Sequence, residues 1–504
     1  MKHLTYGDWI VIAAYLAGIL AFGLWSGRGQ KSTRDYFLGK EVIPWWGVGL
    51  SIVATETSAL TFISVPALAY GGDLALMQMI LGYVIARILL AIYLVPHYFK
   101  GEIFSAYQLL ENAFGKSSRR MAGGIFLVAC TLGAGVRVYV TCIPIQLMLG
   151  VDILTAIVIF VGLTLIYTTV GGIRSVVWTD AAQFVLFMAG GIFTLFYVPT
   201  LVEGGWSGAL AKAAAAGKLH WLDTRFSLAA PFNIFMGLIG GTVLVLFSHG
   251  ADQMIVQQVL TCGSVKGGRR ALILSAVIIV PLFLVFLLTG VFLWVYDGQF
   301  ALHDLVPKNT QGLKQNDYIY PLFILTVVPP WFKGFLIVAI LSAAMSSVAS
   351  ALSALSSVST MDIFKGLSRR DRDDAFYFRF SKYSMVFWCA MLVGVAFLSR
   401  QAPFVYNLAF TLTGLTSGAM LGGVLLSVFW RQVGAVSVML GMAASLLVMI
   451  GVSQISWTVE LAGRTETQKI FWPWYTPVGT AVTLIVPWII SRLRRSPRPS
   501  ANSF

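Results

Sequence analysis

Apolar runs long enough to cross a bilayer repeat along almost the whole chain. A membrane helix needs about 20 predominantly apolar residues, and no segment that reads as a soluble domain interrupts the series. The pattern therefore predicts an all-α, polytopic membrane protein with about 13 transmembrane helices. The predicted spans lie at 8–26, 44–70, 72–97, 118–149, 152–170, 174–202, 232–258, 270–298, 331–364, 378–399, 403–431, 434–456 and 472–493.

Polar residues interrupt the second and the seventh of these segments near mid-membrane. Segment 51–61 holds one acid and five hydroxyl side chains, and segment 247–253 holds Ser248, His249, Asp252 and Gln253. Unwound backbone is tolerated at that depth only where it lines a cavity, so we expect two broken helices. The breaks recur five helices apart, and discontinuous helices in corresponding places are typical of inverted-repeat transporters.

The ninth segment, 331–364, carries a serine-rich stretch on one helical face. Ser346, Ser350 and Ser353 are spaced i, i+4 and i+7, so they face the same side. Neutral oxygens in such a column can replace the hydration shell of a small cation. Serines can also bond back to their own helix or allow close packing, so the pattern alone leaves both interpretations open.

The composition agrees with a membrane protein and argues against a nucleic-acid partner. The chain is 58% hydrophobic and 11% charged, whereas soluble domains carry about 25% charged residues. The net charge of +14 collects in every second loop. This positive-inside pattern predicts a multi-pass protein of the cell (inner) membrane, with the N-terminus outside and the C-terminus in the cytoplasm. The clearest basic loops hold Arg28, Lys31 and Arg34; Lys116, Arg119 and Arg120; Lys266, Arg269 and Arg270; and Arg492, Arg494 and Arg495.

Two further features concern processing and redox state. The first apolar segment is long for a signal peptide and is followed by a basic loop, so we interpret it as a retained helix rather than a cleaved leader. The four cysteines, which fall in or beside apolar segments, are expected to be buried thiols rather than disulfides. They are Cys130, Cys142, Cys262 and Cys389.

Six short strings give the chain a family resemblance. They are DYFLGK at 35–40, YLVPHY at 93–98, SAYQLLE at 105–111, GGIRSVVWTD at 171–180, DQMIVQQ at 252–258 and the serine helix ending in MDIF at 361–364. With these strings the chain resembles the sodium/solute symporter family, in particular bacterial sodium–sialic acid and sodium–galactose symporters, from about residue 8 to 493.

The resemblance implies a five-plus-five inverted-repeat core with one leading and two trailing helices. We expect a leading helix and inner loop at 1–43, a first repeat at 44–202 and an extracellular loop at 203–231. These are followed by a second repeat at 232–431, two trailing helices at 432–493 and a basic cytoplasmic tail at 494–504.

The resemblance also implies sodium ligands, with Na+ as the coupling ion and no organic cofactor. For the main sodium site it implies backbone carbonyls and serine hydroxyls at Ala54, Thr57, Ala343, Ser346 and Ser347. For a second sodium it implies Asp180, Ser346 and Ser350. Ala349 stands where relatives carry one more hydroxyl, which leaves open whether one or two ions bind.

The implied substrate pocket differs more from that of the sialic acid symporters. Pocket positions correspond to Glu56, Ser58 and Thr61, and Glu56 replaces a hydroxyl. The arginine that those symporters use on the third core helix corresponds to Gly133, but Arg137 lies one turn later on the same face. Arg137 either binds an anionic substrate or pairs with Glu56. Further polar pocket or gate candidates are Gln78, Asp252 and Gln253.

The sequence therefore predicts a secondary active transporter. It would couple sodium to the symport of a small organic solute, either a sugar acid, a carboxylate or a sugar, by alternating access. Two rivals share the fold: a proton-coupled carrier that uses Asp180, Glu56 or His249, and a transporter-like membrane sensor. No catalytic motif is present in the sequence, so we expect no enzyme activity. The expected partners are an anionic or polyhydroxylated solute and the lipid bilayer, with no obligate protein partner.

Overall fold

The computed structural model is almost entirely helical. It describes residues 4–26, 32–39, 42–100, 103–307, 314–367, 372–401, 405–461 and 464–494. The α-helices in chain order are α1 Tyr6–Ser26, α2 Thr33–Leu38, α3 Trp45–Glu56, α4 Ala59–Gly71, α5 Met77–Leu89, α6 Val95–Tyr98, α7 Gln108–Phe114, α8 Lys116–Leu149, α9 Ile153–Thr200, α10 Gly205–Ala215, α11 Thr242–Gly250, α12 Gln253–Leu260, α13 Val265–Phe300, α14 Ile319–Thr326, α15 Phe332–Ser357, α16 Lys365–Leu367, α17 Asp374–Leu398, α18 Val405–Phe429, α19 Ala435–Gln454 and α20 Tyr475–Arg494.

Short π-helical and extended segments complete the chain. The π-helical turns Leu90–Leu94, Met236–Gly241 and Val358–Phe364 continue the spans of α5, α11 and α15. Between α19 and α20, the strands β1 Ser456–Leu461 and β2 Arg464–Lys469 form an antiparallel hairpin. This hairpin, which the apolar pattern does not reveal, is the one departure from an all-α chain among the described residues.

The number of spans depends on how bent helices are counted. By length and apolar composition, ten helices of the described residues can cross a membrane, and up to twelve if each of two bent pairs is one span. Helix α9 counts once although it has 48 residues, about 72 Å of helix against a hydrocarbon core of about 30 Å. Inside it, Gly172 has non-helical angles (φ 56°, ψ −164°) that are essentially restricted to glycine. The predicted count of thirteen stays a prediction.

Both predicted breaks are present, and they have the same form. The pair α3 and α4 bends by 57° at Thr57–Ser58, and the pair α11 and α12 bends by 57° at Ala251–Asp252. Each second half-helix begins with a side-chain cap. Ser58 Oγ accepts the N–H of Leu60 at 3.2 Å, and Asp252 Oδ1 accepts the N–H of Met254 at 2.8 Å. These caps satisfy backbone donors that a broken helix leaves exposed.

The serine helix α15 lies at the centre of the molecule. Nearly all of its residues are buried, and it packs against α9, α1, α8, α17 and α3. The leading helix holds the start of α15 through Asp8, whose Oδ1 accepts the N–H groups of Trp331 and Gly334, each at 2.9 Å. The carboxylate therefore serves as an N-terminal cap supplied by another helix.

Some predicted features are not tested by these elements. The boundaries of the two repeats and of the loop 203–231 stay predictions. The tail 494–504 lies, after residue 494, outside the described residues, as do parts of the basic loops around 27–31 and 368–371.

Candidate functional site

The break of the first core helix lies directly against the serine helix. The Ser347 hydroxyl is within 3.3 Å of the Ala343 carbonyl oxygen on its own helix and 3.4 Å of the Thr55 carbonyl oxygen on α3. The Thr57 hydroxyl donates to the Val53 carbonyl at 2.6 Å. Where the helix breaks, the carbonyl oxygens of Ala54 and Thr57 receive no hydrogen bond from any described residue. The site thus offers free backbone carbonyls beside serine hydroxyls.

Asp180 forms a buried polar cluster next to this break. Its Oδ2 accepts hydrogen bonds from neutral donors on three other helices. They are Ser51 at 2.9 Å, Thr55 at 3.1 Å, Ser350 at 3.2 Å and Gln258 at 3.3 Å. Among the described residues, no lysine or arginine forms an ion pair with this carboxylate. A buried carboxylate without a compensating cation is costly.

Several oxygens of this region are buried without a hydrogen-bond partner in the described part of the chain. They are Asp180 Oδ1, Ser346 Oγ and Ser342 Oγ. Buried polar atoms are normally satisfied, so each orphan needs an explanation. Oxygen-only donor sets suit small hard cations, so a sodium ion fits these residues. Ala349, where a further hydroxyl is implied by the resemblance, is buried and adds none.

Gln258, which the sequence analysis did not single out, lies in the Asp180 cluster. Its side-chain nitrogen is 2.6 Å from Thr55 Oγ1 and 3.0 Å from Ser350 Oγ. It therefore connects the second broken helix to the first and to the serine helix. A signal that could have indicated this is the run of glutamines, Gln253, Gln257 and Gln258, on a short half-helix whose other residues are apolar.

A cavity of about 120 Å³ lies between the two breaks. Five of the predicted pocket residues line it. They are Glu56, Ser58, Thr61, Arg137 and Asp252. Most of the remaining wall is apolar, with Leu60, Val65, Leu76, Leu244, Val245, Phe247, Met254, Ile255, Phe283 and Phe410. An apolar pocket with a few convergent polar groups is typical of a small-molecule site.

The structure contradicts the alternative in which Arg137 pairs with Glu56. Glu56 pairs with Arg87 on α5, not with Arg137. Arg87 is fully buried and also donates to Ser275 Oγ and the Tyr83 carbonyl, each at 3.1 Å. His249 Nε2 lies 3.6 Å from the Glu56 carboxylate. The sequence analysis missed Arg87, although an arginine inside the apolar run 72–97 is itself a signal of function.

Arg137 and Asp252 remain as opposite charges on the cavity wall. The Arg137 guanidinium forms no ion pair or side-chain hydrogen bond with any described residue, and Asp252 has only its capping contact to Met254. Both also line an adjoining cavity of about 40 Å³. Arg137 further lines a cavity of about 10 Å³ together with Ser58 and Ser347. Arg137 thus connects the larger cavity to the region of the serine hydroxyls.

Two predicted pocket residues do not lie in the cavity. Gln78 donates to the Phe232 carbonyl at 2.8 Å and accepts the Asp223 N–H at 3.0 Å, so it fastens the outer loop. Gln253 donates to the Phe104 carbonyl at 2.8 Å and accepts the Ala106 N–H at 3.0 Å. Both amides therefore hydrogen-bond backbone groups of loops and do not line the cavity, and a pocket or gate role for them stays a prediction.

Comparisons with known proteins agree with this architecture. A family model described as "Sodium:solute symporter family" matches residues 36–445. The sodium/sialic acid symporter SiaT of Proteus mirabilis is 30% identical over 461 residues, which are 88% of each protein. The sodium/glucose cotransporter of Vibrio parahaemolyticus is 28% identical, covering 88% of this chain and 84% of that protein. A solved substrate-bound, outward-open Na+-coupled sialic acid symporter matches with a TM-score of 0.85 at 28% identity, over 97% of this chain and 98% of the other.

Proposed function

The chain belongs to the sodium:solute symporter family, and from that premise we propose that it carries a small organic solute with an anionic group into the cell. It is a multi-pass, sodium-coupled symporter with an inverted-repeat core that works by alternating access, and it is not an enzyme. We further propose the class of the solute, the ligands of the ions, a location in the inner membrane and the orientation of the termini.

For the main sodium ion, we propose ligands from the first break and from the serine helix. They are the carbonyl oxygens of Ala54, Thr57 and Ala343 and the hydroxyls of Ser346 and Ser347. The observation that supports this set is the pairing of free carbonyls in the break with Ser347, which contacts both helices. An ion held by both elements stabilises one arrangement of parts that move relative to each other, which is how differential binding shifts a conformational equilibrium.

A second cation site is proposed at Asp180, Ser346 and Ser350. The supporting observations are the carboxylate without a cationic partner and the orphaned oxygens of Asp180 and Ser346. A proton on Asp180 would also remove the buried charge, so the same observation supports proton coupling as the second candidate. Sodium-dependent and pH-dependent uptake of wild type and of Asp180→Asn separate the two.

The anionic group is proposed from Arg137 and its position near the sodium ligands. Arg137 lines the same small cavity as Ser58 and Ser347. Two positive charges that approach each other in a poorly hydrated site repel. A substrate carboxylate beside both the ion and the guanidinium replaces that repulsion with attraction. Sodium and substrate would then each strengthen the binding of the other, as symport requires.

Orientation is proposed from the charge pattern alone. The basic loops after the first, third and seventh segments favour the cytoplasmic side, which leaves the N-terminus outside and the C-terminus inside. Single cysteines placed near residues 4, 210 and 266 test this orientation when intact cells are treated with a thiol reagent that does not cross the membrane. Labelling near residues 4 and 210 is expected, and labelling near residue 266 alone contradicts the orientation.

Uptake into sodium-free vesicles that are diluted into sodium buffer, so that the sodium gradient points inward, tests the function. Ser346→Ala combined with Ser347→Ala is expected to abolish sodium-driven uptake while the protein still inserts and elutes as a single species. Ser357→Ala is the matched control, because it removes another buried serine hydroxyl without a partner from the same helix. Unchanged uptake in the double variant would contradict the proposed ligands.

A further inference from the structure

We propose that the solute is a small zwitterion, with a cationic amine that contacts Asp252 and an anionic group that contacts Arg137. The inference rests on the proposed function and deepens it, because it assigns a charge to each end of the solute. It distinguishes this chain from a carrier of simple carboxylates, neutral sugars or large sugar acids.

The first step is the charge balance of the cavity wall. Glu56 and Arg87 neutralise each other in a buried ion pair, and His249 lies beside that pair. These groups therefore contribute no net charge to the cavity. Of the charged side chains that line the cavity, Arg137 and Asp252 are left.

The second step is that Arg137 and Asp252 attract each other across the cavity but form no direct ion pair. Both line the same two cavities, yet no ion pair joins them within the described residues. Leaving one member of a buried charge pair unmatched costs several kcal/mol, often more than the pair itself contributes. A purely anionic solute would leave Asp252 unmatched, and a purely cationic solute would leave Arg137 unmatched. A zwitterion matches both and adds no net charge.

The third step is size and polarity. The cavity volume is about 120 Å³, and an engineered protein cavity of about 150 Å³ holds a benzene molecule. A solute enclosed in this arrangement therefore has roughly six to nine non-hydrogen atoms. Between the charged groups the wall is made mainly of leucine, valine and phenylalanine side chains. Three kinds of solute have both charges, this size and an apolar body. They are amino acids with compact apolar side chains, imino acids and methylated ammonium acids.

Asp252 also caps α12 through the Met254 N–H, so the test must separate charge from capping. Asparagine caps helices about as well as aspartate. Asp252→Asn therefore keeps the half-helix in place and removes only the negative charge. The double variant Glu56→Gln with Arg87→Met removes the neighbouring ion pair without changing the net charge of the cavity wall, so it reports how far the change is specific to Asp252.

The experiment uses the purified full chain and ligand sets that differ in one charge. One set is valine, isovalerate and isobutylamine; a second is proline, cyclopentanecarboxylate and pyrrolidine; glycine betaine, lactate, glucose and sialic acid are added. Thermal stabilisation is measured in sodium and in potassium, and labelled hits are followed as uptake into vesicles. We expect a zwitterion to bind in sodium, with both single-charge analogues of its set weaker by about 10- to 100-fold.

The variants then assign the charges. Asp252→Asn is expected to weaken the zwitterion by about 10- to 100-fold and to leave the amine-free analogue unchanged or tighter. If no zwitterion binds, or if a hit keeps its affinity in Asp252→Asn, the inference is wrong. Arg137→Gln separates the two proposals. If a lone carboxylate or sialic acid binds wild type and loses affinity in Arg137→Gln, the proposed function holds while this inference fails. If no solute loses affinity in Arg137→Gln, the proposed function itself fails.

Discussion

Replacing Arg87 with methionine leaves the Glu56 carboxylate buried without a cation. Arg87 is fully buried, and the Glu56 side chain is only 15% exposed. Removing one partner of a buried pair costs about 3–5 kcal/mol. The hydrogen bonds to Ser275 and to the Tyr83 carbonyl are lost as well, at about 1 kcal/mol each. We therefore expect Arg87→Met to reduce the free energy of unfolding by at least about 3 kcal/mol.

The companion variants separate the ion pair from general packing. Glu56→Gln leaves Arg87 unmatched and is expected to cost a similar amount. The double variant removes both charges, so we expect it to be more stable than the sum of the single losses predicts by about 2 kcal/mol or more. Denaturant-induced unfolding of the purified protein in a mild detergent, followed by tryptophan fluorescence, provides the four free energies. Additive losses within about 0.5 kcal/mol would refute the assigned ion pair.

The other predictions concern the kink, the ion cluster and the leading helix. Gly172→Ala is expected to lower stability by about 1–3 kcal/mol because the backbone angles of Gly172 suit only glycine. Gly162, which has open space around it, is the control, and Gly162→Ala is expected to cause no such loss. Thermal unfolding midpoints of both variants test this, and equal midpoints would contradict it. Asp180→Asn is expected to reduce the Hill coefficient for sodium in uptake assays, and an unchanged coefficient above one contradicts a second ion there. Asp8→Ala is expected to cost about 0.5–2 kcal/mol as a lost cap, with Asp8→Asn milder; equal losses in thermal stability would contradict the capping role.

The sequence was sufficient for features that the bilayer itself dictates. The breaks at Thr57–Ser58 and Ala251–Asp252 could be located because polar groups at that depth are tolerated only beside a cavity. Serines on one face of α15 could likewise be assigned to an interior surface, and the structure buries Ser346, Ser350 and Ser353.

Pairings between distant residues could not be predicted in the same way. The sequence pointed to Arg137 as the partner of Glu56, and the packing of both α5 and α3 against α13 brings Arg87 to it instead. Gln78 and Gln253 lie close in sequence to pocket residues, but their amide groups donate hydrogen bonds to loop carbonyls. Which partner a polar side chain reaches depends on how its helix is rotated about its own axis. The apolar pattern does not determine that rotation closely where polar residues occur on more than one face of the helix.

Direct sodium binding tests the central claim, that sodium is held between the first break and the serine helix. Radiolabelled sodium is equilibrated with the purified protein in detergent, without solute, at constant ionic strength. We expect saturable binding to wild type and to Ser357→Ala without competition by potassium. In Ser347→Ala we expect the affinity to fall by at least about tenfold. Sodium binding to Ser347→Ala with wild-type affinity and stoichiometry would contradict the central claim.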